Sequence, residues 1–145
     1  MLIRSATQND LHFLARLALR LWEEHTEEDL FAEFSDIFAT GQAQFFLAFE
    51  NDSPIGFAQC QLRHDYVEGT DSSPVGYLEG IFVLPDYRRR GCARALLAAC
   101  EDWARLQGCT EFASDCELQN SESLAFHLHA GFSEANRIIC FTRKL

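Results

Sequence analysis

Two features of this sequence have residue types and spacings that could do chemistry. The first is the segment Tyr77-Leu-Glu-Gly-Ile-Phe-Val-Leu-Pro-Asp-Tyr-Arg-Arg-Arg-Gly-Cys-Ala-Arg-Ala-Leu-Leu97, an apolar strand running through a short turn into a helix. At its centre, Arg88-x-x-Gly91-x-Ala93 opens the helix. The first amides of a helix have no internal acceptor, and the helix dipole adds partial positive charge there, so this turn suits an anion. Gly91 and Ala93 keep bulk away, which would let a diphosphate approach the backbone, and Arg88, Arg89 and Arg90 add charge. On these residues alone, a solvated basic turn is an equal reading. The Gly-Lys-Ser/Thr ending of a nucleotide P-loop is absent, and the glycine spacing is not that of a dinucleotide fingerprint. The second feature is a pair of carboxylates. Glu79 lies in a strand with Tyr77, Ile81 and Val83 expected on the same face, where an unpaired acid is costly. Asp115 ends a later strand. A structural salt bridge at Glu79 and a turn cap at Asp115 are the plain readings. A cation-binding or proton-accepting pair is the sharper one.

The elements that must position these residues follow from hydrophobic spacing. Leu2 to Arg4 reads as a strand. Thr7 caps a helix carrying Leu11, Leu14, Ala15, Ala18, Leu21 and Trp22, with Asp10 in its first turn. Thr26 caps a second helix, which has an acidic start at Glu27, Glu28 and Asp29 and ends at Gly41. Strands at Gln44–Glu50 and Ile55–Arg63 form a hairpin across the turn 51–54, and a strand at Gly76–Leu84 follows a polar loop. The helix from Gly91 closes at Gly108. Glu111–Cys116 is a strand, Ser121–Ala130 a helix, and Arg137–Arg143 a final strand. The order β-α-α-β-β-β-α-β-α-β predicts an α/β fold with a mixed, mostly antiparallel sheet flanked by helices. The strand–turn–helix–strand segment in the middle is a parallel βαβ unit. No linker or repeat divides residues 1–145, which read as one domain.

Composition narrows the partners. Lys plus Arg number 12 against 22 Asp plus Glu, a net charge of −10, so a nucleic acid is not the expected ligand and a cationic molecule is. The acidic run Glu23, Glu24, Glu27, Glu28, Asp29, Glu33 and Asp36 is either a solvated face or a rim that draws in polycations. No apolar stretch approaches the about 20 residues of a membrane span, and the first ten residues do not follow the plan of a signal peptide. The six cysteines show no C-x-x-C pair, which points to reduced structural thiols in a cytoplasmic protein and to no bound metal.

The strand–Arg88-x-x-Gly91-x-Ala93–helix segment resembles the acetyl-CoA pyrophosphate loop of the Gcn5-related N-acetyltransferases (GNAT). Asn120-x-x-Ser123-x-x-Phe126-His127-x-x-x-Gly131-Phe132 resembles that superfamily's next motif. Trp22-x-x-His25, His64-Asp65-Tyr66-Val67 with Asp71-Ser-Ser-Pro74, Leu78 to Pro85, and Ala113-Ser-Asp115 are similar to the small chromosomal aminoglycoside 6'-N-acetyltransferases. The resemblance covers nearly the whole chain. It implies acetyl transfer from acetyl-CoA to the 6'-amine of an aminoglycoside, by direct attack in a ternary complex, and a homodimer, with the C-terminal strands as a candidate interface.

Residue by residue, it implies that the backbones of Ile81, Phe82 and Val83 pair with the pantetheine arm, with an amide near Val83 facing the thioester oxygen. Arg88, Arg89, Arg90, Gly91, Cys92, Ala93 and Arg94 would hold the diphosphate, and Asn120 would touch the thiol end. Trp22, His25, Tyr66, Glu79, Asp115 and Asn136 match positions lining the aminoglycoside site, with Glu79 and Asp115 as ion-pair partners and candidate bases. Trp22 also fits its helix's apolar stripe as a core residue. Asn136 stands where an acidic residue is common in the family. His127 stands where many superfamily members place a tyrosine as acid for the leaving thiolate; either it serves in that role or no side chain is needed. Two other activities fit the same residues: acetylation of a polyamine or protein amine, and a non-catalytic CoA-binding module.

Overall fold

Strands β1 (Leu2–Ser5), β2 (Ala43–Glu50), β3 (Ser53–Arg63), β4 (Val75–Val83) and β5 (Phe112–Ser114) form one sheet in chain order. The computed structural model describes residues 1–145. The first four strands pair antiparallel, and β4–β5 is parallel. Helices α1 (Leu11–Leu19) and α2 (Glu27–Ala39) cover one face, and α3 (Cys92–Leu106) covers the other; α4 (Ser121–His129) follows β5. The mixed sheet with its parallel unit is the architecture that the hydrophobic spacing predicts.

Period-two alternation distributes the core. On the α1–α2 face, Phe45, Leu47, Phe57 and Phe82 meet Leu14, Leu30 and Phe34. On the other face, Ala58, Cys60, Leu78 and Val83 meet Leu96, Leu97 and Cys100 of α3. The aromatic content is concentrated on the first face, where Phe34 and Phe38 lie against Phe45 with ring centroids 4.9 and 5.9 Å away.

Local signals set the helix ends. Thr26 accepts the Asp29 amide at 3.1 Å, and three acids occupy the first turn of α2. Thr7 and Asp10 close a short 3-10 turn ahead of α1, with the Thr7 amide donating to Asp10 Oδ2 at 2.8 Å. Helix α1 stops at Leu19, short of the expected Leu21 and Trp22. The chain then tightens into a turn, with the Leu21 and Trp22 amides both bonded to Ala18 O.

Two expectations about strands are corrected. Arg137–Arg143 is not a strand: the chain beyond Gly131 has no regular structure, and Ile138, Ile139 and Phe141 are 67%, 80% and 88% exposed. A strand needs a ladder partner, and β5, only three residues long, pairs with β4 alone. The second correction concerns β4. Gln59 pairs with Gly80 and Cys60 with Leu78, so Glu79 is an inserted residue, a β-bulge. The bulge resets the alternation. Tyr77 lies on the α1–α2 side along with Gly80 and Phe82, while Ile81 and Val83 turn toward α3. Glu79 therefore does not share a face with Ile81 and Val83.

The first strand is tied to the first helix by ions. Arg4 reaches Asp10 through two bonds, at 2.7 and 3.0 Å, and Asp10 is 6% exposed. The Arg4 hydrogen bonds, and then the Thr7 amide, hold the Asp10 carboxyl well below the usual carboxylate range. A depressed folded pKa adds stability that is present above the unfolded value, about 4, and is lost as pH falls through the folded value. Asp10→Asn is expected to cost about 2 kcal/mol at pH 7, with the gap to wild type narrowing below about pH 4. Urea denaturation of both proteins at pH 7 and pH 3 measures it.

Candidate active site

The parallel pairing of β4 with β5 covers only Gly76, Tyr77 and Leu78. Beyond them the strands part, so the β5-facing edge of β4 from Glu79 to Val83 has no strand partner. An open edge of this kind can take an extended ligand as an added strand. Ile81, Phe82 and Val83, the residues implied to meet pantetheine, lie along it.

The edge leads through Leu84 and a short turn at Pro85–Tyr87 into the arginine-rich loop. Arg89 and Gly91 both take left-handed backbone, with φ of +61° and +80°. Gly91 is the N-cap residue of α3, and this conformation favours glycine there. The first α3 bond runs from the Ala95 amide to Gly91 O, so the amides of Cys92, Ala93 and Arg94 have no acceptor within the helix. The Cys92 side chain is buried, leaving only its backbone for a ligand. Two of the arginines are partly engaged within the protein: Arg88 Nε donates to Val83 O at 2.8 Å, and Arg94 Nη2 donates to His129 O at 2.9 Å. Arg88 thus fastens the loop to the end of the open edge. Asn120 is the N-cap of α4, with Oδ1 accepting the Ser123 amide at 3.0 Å.

The residues implied to line the acceptor site fall into two adjoining cavities. Trp22, His25 and Glu79 line a small one of about 250 Å³, together with Gln59, Glu33 and Phe34. Tyr66, Asp115 and Asn136 line a wide cleft of about 1310 Å³. Trp22 packs edge-on to Phe34 and Phe57, so it serves the core and the cavity wall together. It also lies so close to Gly80 that a Cβ there would sit 2.6 Å from the indole, which is why β4 has glycine next to Glu79.

Between the cavities stands a polar array only partly visible in the sequence. Arg63, the last residue of β3, binds Glu79 through Nε and Nη2, with distances of 2.5 to 3.0 Å. Its guanidinium lies over the Tyr77 ring, 3.4 Å from the centroid, and the Tyr77 hydroxyl donates to Asp115 Oδ2. Burial pushes the Glu79 carboxyl up from its ordinary value; Arg63 opposes the shift and Asp115 adds to it. Burial, and then the bond to Asp115, push the Tyr77 hydroxyl well above its usual range. Tyr77 sits two residues from Glu79, so the sequence could have pointed to it. The Arg63–Glu79 contact spans 16 residues and depends on the β3–β4 register plus the bulge, and nothing local in the sequence signals it.

His127 faces β5 from α4. Its Nδ1 lies 2.7 Å from Ser123 O and its Nε2 lies 2.8 Å from Ser114 Oγ. A carbonyl partner requires the proton on Nδ1, so in the neutral ring Nε2 accepts from the serine hydroxyl. Glu68 and Asn136 meet at the rim of the cleft, with Nδ2 donating to Glu68 Oε1 at 3.0 Å. Elsewhere, no helix is long and apolar enough to cross a membrane.

This geometry has close counterparts. Over 142 residues the chain is 40% identical to an aminoglycoside N(6')-acetyltransferase type 1 of Salmonella enteritidis, covering 98% of each. It is 42% identical to one of Stenotrophomonas maltophilia, covering 99% of this chain and 93% of that one. Among solved structures, the aminoglycoside acetyltransferase AAC(6')-Iy, in complex with the bisubstrate analogue CoA-S-monomethyl-acetylneamine, superposes with a TM-score of 0.94. The two share 39% identity, over 99% of this chain and 97% of that one. The acetyltransferase (GNAT) family matches residues 11–132, and with full-length relatives at this identity the chain belongs to that family.

Proposed function

We infer that this chain transfers the acetyl group of acetyl-CoA to the 6'-amino group of aminoglycosides. The observation that carries this reading is the bulge at Glu79. It turns a carboxylate toward the aromatic-walled cavity where β4 loses its β5 partner. A thioester laid along the open edge would present its carbonyl carbon beside a cavity built for ammonium groups. The full-length likeness to enzymes of this name supports the same assignment.

In the reaction, one proton first leaves the 6'-ammonium. Glu79 or Asp115 receives it, directly or through water. The free amine attacks the thioester carbon, and the oxyanion is met by an amide near Val83. The C–S bond then breaks, the CoA thiolate leaves, and the second amine proton passes to it through water, giving the amide and CoA-SH. His127 spends both ring nitrogens on Ser123 and Ser114, so departure of the thiolate is assigned to its own leaving ability. Trp22 and Tyr66 stack on sugar faces, and His25 and Asn136 complete the acceptor walls. The Arg88–Arg94 loop takes the diphosphate, and Asn120 stands near the thiol. Residues 1–145 act as one N-acetyltransferase domain, and we place it in the cytoplasm, where its unpaired cysteines stay reduced and CoA is at hand.

We also propose a homodimer. Ile138, Ile139 and Phe141 are exposed on a tail with no strand partner, while the cleft beside β5 presents Phe112, Leu124, Leu128 and Phe132. The tail of one copy laid on the β5 side of another would cover both surfaces.

Three experiments test these assignments. Thiol release from acetyl-CoA is expected with kanamycin and not with a 6'-deamino analogue or a Lys peptide; release with the peptide alone would overturn the reading. Glu79→Gln and Asp115→Asn are each expected to lower kcat/KM for kanamycin, about 100-fold for the one that accepts the proton, with the KM for acetyl-CoA unchanged. Light scattering should show a dimer for the full chain and a monomer for the Ile139→Asp, Phe141→Asp variant.

A further inference from the structure

Arg63 lines the wide cleft, Glu79 lines the small cavity, and their ion pair is the wall between the two. The side chains differ in burial: Glu79 is 17% exposed and Arg63 is 38% exposed. Every hydrogen bond of the guanidinium goes to Glu79, and its other support is the face of Tyr77. It is therefore held by one carboxylate and one ring, with open space on its cleft side.

We propose that Arg63 is a gate that stands in for a substrate ammonium. In the empty site it neutralises Glu79, because a buried carboxylate without a cation is costly. When a polycationic acceptor arrives, an ammonium takes Glu79, the guanidinium swings into the cleft, and the two cavities join into one trough. This inference rests on the aminoglycoside reading above and adds a source of selectivity to it. Displacing a chelating guanidinium is unfavourable for an amine with one charge. It is offset for an acceptor whose other ammonium groups meet Asp115 in the cleft and Glu33 in the small cavity at the same time. Arg63 touches Glu79 and Tyr77 and not the reacting atoms, so its effect is read in the KM for the acceptor.

The alternative is that Arg63 never moves and serves only to aim Glu79. Steady-state kinetics of Arg63→Ala and Arg63→Lys against wild type separate the two. A gate predicts that Arg63→Ala lowers the KM for kanamycin about three- to fivefold, the scale of one partly exposed ion pair. Its kcat should stay within about twofold and its KM for acetyl-CoA should not change, while Arg63→Lys falls between the two proteins. Millimolar methylguanidinium should inhibit Arg63→Ala competitively against kanamycin and leave wild type untouched. A raised or unchanged KM in Arg63→Ala, or recovery of its activity on adding methylguanidinium, overturns the gate. The Arg63→Lys protein reports the same KM trend if the alanine variant fails to fold. Wild type that acetylates no aminoglycoside would remove the functional reading and the gate with it, whereas an active wild type with the wrong Arg63→Ala response removes the gate alone.

Discussion

Strand β4 is paired along its whole length on one side and for only three residues on the other, and this half-finished pairing organises the molecule. Backbone amides and carbonyls along the free edge need partners, and a strand edge left open is ordinarily a liability. Here the edge is short, bounded by β5 at one end and by the arginine loop at the other, so it invites an extended ligand of limited length rather than another sheet. The bulge at Glu79 falls at the point of divergence. The bulge comes from the β3–β4 register and the divergence from the shortness of β5, and the two coincide at Glu79. The open edge and the Glu79 carboxylate are thereby placed side by side without a dedicated loop.

Charge is divided along the same axis. A protein of net charge −10 keeps three consecutive arginines at one bend, where the free amides of α3 already favour an anion. At the other end Glu79, Asp115 and Glu33 face the acceptor cavities. The Asp115 carboxylate adds to the cost of ionising the buried Glu79. Arg63 and the Tyr77 hydroxyl spread that cost across a stacked array in which each acid has one protein partner. The negative charge of this array is thus held in register by the protein's own groups.

Much of this was legible in the sequence. Helix caps at Thr7 and Thr26, the glycine that opens α3 and the apolar run of β2 reflect contacts within a few residues, and the elements they define begin close to where the spacing predicts them. The misses share a different physics. A bulge is invisible to a period-two count, so Glu79 read as a neighbour of Ile81 and Val83 when its fellows are Tyr77, Trp22 and Gln59. The tail 137–143 has the apolar, β-branched run of a strand, but such a run says only that a segment suits a ladder, not that its own chain supplies the partner. Arg63 offered nothing local, since its role arises from the register of two strands joined by an 11-residue loop.

The same distinction between local and assembled information explains Asn136. On the family resemblance it looks like a lost acid, and therefore like a loss of negative charge at the acceptor site. In the folded chain its amide nitrogen meets Glu68 and its amide oxygen accepts the Arg137 amide, so both ends of the side chain are satisfied. An aspartate at this position would set a second carboxylate about 3 Å from Glu68, a repulsion the amide turns into a hydrogen bond. The negative charge at this rim is carried by Glu68, one position before Gly69, whose backbone runs against Ala135 so closely that a Cβ would sit 2.5 Å away. The Ala135 methyl of the chain entering the tail is thus packed on the Gly69 backbone of the loop that carries Tyr66, so the placement of the tail bears directly on the wall of the cleft.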